Sequence, residues 1–224
     1  MKWIPFLKKE LISIIKKCSN ILTPGPDKLS WRHLKRIIKD NAYLNKFINI
    51  ANACIDIGHW LLHFKVLTTI IIPKPNKESY NSFKAYCPII LLNTIGKLFE
   101  KVISKRLQFL WISNNLNHSC ELDSLKQWSI MNTDVALTHF IHTSWVKNLI
   151  TSILVFDITQ FFPLLNYQLL LLILDKAGFD PKVLFFFQNY LVDRKTKYLW
   201  NSFSSQIFNV NIGVGQGLAL SLIF

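Results

Sequence analysis

Acidic residues are scarce in this sequence: 13 Asp and Glu stand against 26 Lys and Arg in 224 residues, a formal net charge of +13. The shortage is confined to one half. Residues 1–112 hold 19 Lys and Arg and 6 Asp and Glu, a net of +13, whereas residues 113–224 hold 7 of each and are neutral. Cysteine is also sparse. Cys18, Cys54, Cys87 and Cys120 are widely spaced with no CxxC pair, which argues against a disulfide frame or a zinc site and reads as reduced intracellular thiols. Long apolar runs are missing. The richest, residues 169–174, is far short of the roughly 20 residues that cross a bilayer, so no membrane insertion is expected. Met1-Lys2-Trp3-Ile4-Pro5 is followed by Lys8, Lys9 and Glu10 without an apolar core, so no signal peptide is expected and the location reads as intracellular, nuclear or cytoplasmic. Repeats and low-complexity tracts are lacking, and only 17% of residues are charged while 50% are hydrophobic, which excludes a disordered tail.

What remains is a chain long enough for one large domain or two small ones, with a substantial core. A polyanion lying along the basic half is the economical account of the charge asymmetry, since phosphate neutralisation dominates nucleic-acid affinity; solvated helix faces are the plainer one.

Periodicity predicts a helix over residues 10–21, stopped by Thr23-Pro24-Gly25-Pro26-Asp27, and a helical stretch from Ser30 to about Ile57 with a break inside it. A β-branched run over residues 66–72 predicts a strand ending at Pro73. Residues 93–111 read as a helix with Leu98, Val102, Ile103 and Leu107 inward and Lys97, Lys101, Lys105 and Arg106 outward. A helix over residues 133–148, capped by Thr133-Asp134, precedes a strand over residues 152–157. Helices follow over about 166–176, closed by Gly178, and from Pro181 to about Val192, then a hairpin of residues 198–202 and 206–212. A glycine loop, Gly213-Val214-Gly215-Gln216-Gly217, opens a last helix. Helices mixed with a few separated strands indicate an α+β domain.

Three places are candidates for chemistry. The apolar run of residues 153–156 ends on Asp157: a buried strand delivering one carboxylate suits a polymerase metal ligand, and an ordinary strand closing on a turn-forming Asp has the same pattern. The backbone N–H groups of the glycine loop suit a phosphate or a base, or serve a tight turn. Lys74, held extended between Pro73 and Pro75, suits a triphosphate or is a solvated turn lysine. His139 and His142, and His118 beside Cys120, lack the further ligands of a zinc site, so no metal is expected there.

In order along the chain these segments resemble the reverse transcriptases of non-LTR (LINE-type) retrotransposons. Thr23-Pro24-Gly25-Pro26-Asp27 with Leu34-Lys35 is similar to the opening motif of that family. Ile72-Pro73-Lys74-Pro75 and the segment from Tyr86-Cys87-Pro88-Ile89 to Leu98-Phe99-Glu100-Lys101 resemble its fingers. Phe156-Asp157-Ile158-Thr159-Gln160-Phe161-Phe162-Pro163 resembles the first palm motif, in the Phe-Phe-Pro form of fungal elements, and residues 213–224 resemble the Gly-x-x-Gln-Gly-x-x-Leu-Ser motif.

The resemblance implies a right-hand polymerase: a helical lead-in over residues 1–22, fingers over about 23–150, a partial palm over about 151–224 and no thumb. It implies an RNA-directed DNA polymerase acting on an RNA template, a DNA primer and dNTPs, with no obvious protein partner. Asp157 and the Ile158 carbonyl would bind Mg²⁺, Phe162 would pack under the sugar and exclude a 2′-hydroxyl, and Lys74 would contact the triphosphate. Gln216 and Gly217 would line the nascent base pair. Cys87 departs from the family, which has a bidentate Arg there. So do the segment Ser129-Ile130-Met131-Asn132-Thr133 and Leu222, which stands for a proline. The chain reaches Phe224 without an Asp-Asp pair, so it is expected to be truncated, to leave the apolar residues 218–224 exposed and not to polymerise alone. A non-catalytic, basic nucleic-acid-binding module and a polymerase completed in trans are the alternatives.

Overall fold

Breaker residues and caps set the element boundaries in the computed structural model, which describes residues 1–116, 130–158 and 161–222. The helices among them are α1 (Lys8–Lys17), α2 (Trp31–Ile37), α3 (Asn41–Asp56), α4 (Leu62–Lys65), α5 (Thr94–Ser113), α6 (Ile130–Val146), α7 (Phe161–Leu164), α8 (Tyr167–Lys176) and α9 (Pro181–Leu191). The strands are β1 (Val66–Pro73), β2 (Tyr86–Leu91), β3 (Arg194–Trp200) and β4 (Phe203–Val210). This is an α+β fold. The expected break inside the second helical stretch falls at Asp40, whose Oδ1 accepts from the Ala42 N–H at 2.7 Å and so starts α3. Asn166 caps α8 in the same way, accepting from Gln168 and Leu169 at 2.9 and 3.1 Å, and Asp180 with Pro181 starts α9.

The chain divides into two compact units, Met1–Gln108 with Gln160–Phe224, and Phe109–Thr159. In the first, a mixed sheet runs in the order β2-β1-β3-β4, with β1 antiparallel to β2 and parallel to β3, and β3 antiparallel to β4. Strands from both sides of residue 150 thus share one sheet. The Thr69 and Thr196 hydroxyls meet at 2.7 Å in its buried middle. β2, which periodicity misses, holds Pro88 in mid-strand; it is an edge strand, where a missing N–H breaks no ladder on the open side. The hairpin of β3 and β4 is longer than expected and turns at Asn201, whose φ is 51°.

Aromatic rings fill the core of this unit. Trp60 packs on Phe186 and Tyr190 with centroids 5.8 and 5.4 Å apart, and Phe64 lies 6.0 Å from Phe99, so α4, α5 and α9 close on one cluster. The first seven residues are an extended strap stitched to remote elements. The Trp3 N–H donates to Asp180 Oδ2 at 2.8 Å and the Phe6 N–H to Asn52 Oδ1 at 2.7 Å, while both rings are buried.

The second unit contains α6 and the segment after it. α6 starts before Thr133-Asp134, which therefore lie inside the helix and do not cap it. The strand expected over residues 152–157 does not form. A strand needs a neighbour to take its backbone groups, none pairs with this segment among the described residues, and Val155 and Phe156 are 83% and 84% exposed. Composition favoured a strand; pairing decided otherwise. The helix expected after the glycine loop is a single 3₁₀ turn, Leu220–Leu222, and Leu218 and Leu220, expected to be open, are buried. No described helix is long and apolar enough to cross a membrane. His118, Cys120, Ser129, Thr159, Gln160 and Phe224, all named above, lie outside the described residues.

Candidate functional site

Segments far apart in the sequence meet around the glycine loop of the first unit. The loop crosses β2, where the Ile90 N–H donates to the Gln216 carbonyl at 3.0 Å and Cys87 Sγ donates to Gln216 Oε1 at 3.3 Å. The approach is close enough to need glycine: a Cβ on Gly215 would lie 2.4 Å from Ile90 Cδ1. At the loop's start the Val214 N–H donates to the Phe162 carbonyl at 2.7 Å. Gly213, at a φ of 73°, has room for no Cβ, since one would fall 2.2 Å from the Pro163 carbonyl oxygen. Phe162, Gln216 and Gly217 are therefore brought together.

Lys74 stands at the far end of the β1–β2 hairpin, two residues past Ile72, which is paired with Cys87. Its N–H donates to the Ala85 carbonyl at 2.8 Å and its carbonyl accepts from the Tyr80 hydroxyl at 2.8 Å, so the backbone is tied while the side chain is exposed. Asp157 and Ile158 belong to the second unit, where both are exposed in a segment without helix or strand.

The opening motif packs on the segment after β2. The Asp27 carboxylate accepts from the Thr94 N–H at 2.9 Å and so caps α5 from a distance, Thr94 Oγ1 donates to the Leu29 carbonyl at 2.5 Å, and Lys97 Nζ donates to the Thr23 carbonyl at 2.8 Å. A Cβ on Gly25 would lie 2.3 Å from the Leu92 carbonyl oxygen. Between these segments and the glycine loop lies a cavity of about 320 Å³, bordered by Trp31, Ile90, Lys97, Glu100 and Leu218.

Two groups expected to face outward do other work. The Arg106 guanidinium forks onto Glu10, at 2.5 Å to Oε1 and 2.6 Å to Oε2, donates to the Ile4 carbonyl and lies over the Trp3 and Phe6 rings. Lys97 is tied to Thr23, and burial lowers its ammonium below the usual lysine range. The cations left for a polyanion are fewer than the sequence total.

Sequence reasoning missed the buried polar groups beneath the loop. Glu100 is 1% exposed; its carboxylate accepts from the Tyr190 hydroxyl at 2.7 Å and from the Ala219 N–H at 3.1 Å. Burial pushes this carboxyl up to about 7, against the opposing pull of those two donors and of Arg194 and Lys97. Arg194, 3% exposed, donates to the Leu191 carbonyl through Nε and to Tyr167 Oη and the Gly213 carbonyl through Nη2, and Nη1 meets no acceptor among the described residues. A signal was present: Glu100 shares the inward stripe of α5 with Ile103 and Leu107.

Among the described residues no group of three or more His, Cys, Asp or Glu stands together. Asp157 with the Ile158 carbonyl falls short of the near-octahedral oxygen set that Mg²⁺ takes, so the described residues do not make a magnesium site. No protein-family model matches this chain, and no curated protein matches it.

Proposed function

We propose that the chain is the fingers and part of the palm of a reverse transcriptase of the non-LTR retrotransposon kind, an RNA-directed DNA polymerase domain that does not polymerise by itself. One observation carries the reading. Four segments resemble that family's motifs, and contacts join all four: residues 23–27 meet the Leu92–Thr94 stretch, Cys87 and Ile90 meet Gln216, and Val214 meets Phe162. Such convergence is unexpected for unrelated turns.

In this reading an incoming dNTP lies along the exposed side of the β1–β2 hairpin. Lys74 supplies a point charge to its triphosphate, Phe162 a flat apolar floor for its sugar, and Gln216 with Gly217 the wall beside the base pair being formed. The RNA template and DNA primer lie along the basic first half. Asp157 and the Ile158 carbonyl are too small a donor set for a two-metal site.

A non-catalytic nucleic-acid-binding module is the second reading, favoured by the exposure of Asp157 and by the lack of a carboxylate cluster among the described residues. Primer extension on an RNA template separates the two when it is run beside binding of the same labelled hybrid. The expected result is salt-dependent binding without incorporation. Incorporation abolished by Asp157→Ala would show a complete active site and overturn the inactivity; an absence of any hybrid binding would remove both readings.

A further inference from the structure

The glycine loop is fastened at both ends by side chains of α5, α8 and β3. At its start the Gly213 carbonyl accepts from the Tyr167 hydroxyl at 2.5 Å and from the Arg194 guanidinium. At its end the Ala219 N–H donates to Glu100 Oε2 at 3.1 Å, and Tyr190 holds the other carboxylate oxygen at 2.7 Å. Between the anchors Val214 and Leu218 are buried, the Ser221 hydroxyl donates to the Gly215 carbonyl at 2.8 Å, and the Gly217–Ala219 stretch borders the cavity of about 320 Å³. Gln216 itself reaches β2 through the Ile90 backbone and the Cys87 thiol, a weak donor, so where it stands depends on where the loop's two ends are held.

We infer that Glu100 and Arg194 are positioning residues, which set where Gln216 and Gly217 stand against β2 by holding Ala219 and Gly213. This rests on the nucleotide reading above and deepens it: the wall of the base-pair pocket is tuned by a buried carboxylate on α5. The charged and titratable groups facing that carboxylate are Lys97 on α5, Arg194 on β3 and Tyr190 on α9, with Tyr167 beside Arg194; the loop itself contributes only backbone.

An ionised carboxylate accepts more strongly than a neutral one, so the clamp on Ala219 tightens as pH rises through neutrality. The same ionisation places a charge in the core and lowers global stability. Loop order and global stability then move in opposite directions with pH, which a merely structural role would not produce.

The test is amide hydrogen exchange on the 224-residue chain at pH 6 and pH 8, corrected for intrinsic rates, with Glu100→Gln alongside. The unaltered chain is expected to gain at least about threefold in protection over residues 213–219 between the two pH values, and Glu100→Gln to gain none while α5 and α9 stay protected. An equal pH response in both proteins, or loosening spread evenly over the fold in Glu100→Gln, overturns the inference. Should Glu100→Gln not fold, Tyr190→Phe serves: removing a donor that favours the carboxylate moves the transition to higher pH, and an unmoved midpoint overturns the inference.

Equilibrium binding of dATP over the same pH range links the clamp to nucleotide. Titration of the γ-phosphate is common to both proteins, so the readout is their affinity ratio, expected to grow about threefold in favour of the unaltered chain between pH 6 and pH 8. A constant ratio with binding intact removes the clamp's role alone. An unaltered chain that binds no dATP, while the exchange result holds, removes the nucleotide reading and with it the function assigned to the clamp.

Discussion

The Cys87 thiol on β2 donates to Gln216 Oε1 at 3.3 Å, joining two residues 129 positions apart in the sequence. A thiol is a weak donor and offers a triphosphate nothing, where the resembled family places a guanidinium that grips it with two hydrogen bonds. Cys87→Arg is therefore expected to tighten dNTP binding about tenfold or more, the worth of one charge-assisted contact, as measured by equilibrium dialysis. Cys87→Ala is expected to change it little. No gain from the arginine would place the triphosphate elsewhere than beside β2.

Glu100 should make the protein less stable as pH rises. Its carboxyl is pushed up from 4.5 to about 7 in the fold, so the native state holds a proton that the unfolded chain has lost over that window. A raised pKa contributes stability that is complete below about 4.5 and is lost as pH passes through about 7, an effect on the order of 3 kcal/mol. Glu100→Gln keeps the shape without the titration. In denaturant melts its stability relative to the unaltered chain is expected to rise between pH 5 and pH 8, and a constant difference would argue against a buried, titrating Glu100.

Gly213→Ala and Gly215→Ala should differ although both crowd a neighbour. At Gly213 the new Cβ meets backbone, the Pro163 carbonyl at 2.2 Å, with φ at 73°, and neither partner can give. At Gly215 it meets the free end of the Ile90 side chain at 2.4 Å, which can rotate away. Thermal melts are expected to show a loss of about 2–4 kcal/mol for Gly213→Ala and roughly half of that or less for Gly215→Ala. Equal losses would mean that Ile90 is as fixed as backbone.

Arg106 is a structural cation, tied to Glu10 and the Ile4 carbonyl. Arg106→Ala leaves the Glu10 carboxylate without its fork and uncovers Trp3 and Phe6, at an expected cost of about 1–3 kcal/mol in a denaturant melt. The salt dependence of RNA binding is expected to stay the same, whereas a slope reduced by about one would show that Arg106 contacts phosphate.

Elements whose cause is local were legible in the sequence. The helices α3, α5, α8 and α9 combine apolar periodicity with a cap or a breaker, and β1 is a β-branched run ending at a proline. Elements whose cause is a partner were not. Residues 153–156 have strand composition but no described neighbour, and β2 has Pro88 in its middle yet forms because β1 lies beside it. The candidate site divides in the same way. Phe162, Gln216 and Gly217 stand in legible motifs, but the Val214 to Phe162 and Ile90 to Gln216 bonds that bring them together are long-range pairings with no trace in local pattern. Glu100 was readable as a carboxylate on an inward stripe; that Ala219 and Tyr190 complete it was not.

In the proposed function the hairpin and the glycine loop form a template-directed nucleotide site. Its most direct test is dissociation of a labelled RNA–DNA hybrid with a dideoxy-terminated primer, measured with each dNTP in turn. The expected result is that the dNTP complementary to the next template base slows dissociation, that the other three do not, and that Gln216→Ala removes the difference. Equal effects of all four dNTPs, or discrimination untouched by Gln216→Ala, would contradict the claim.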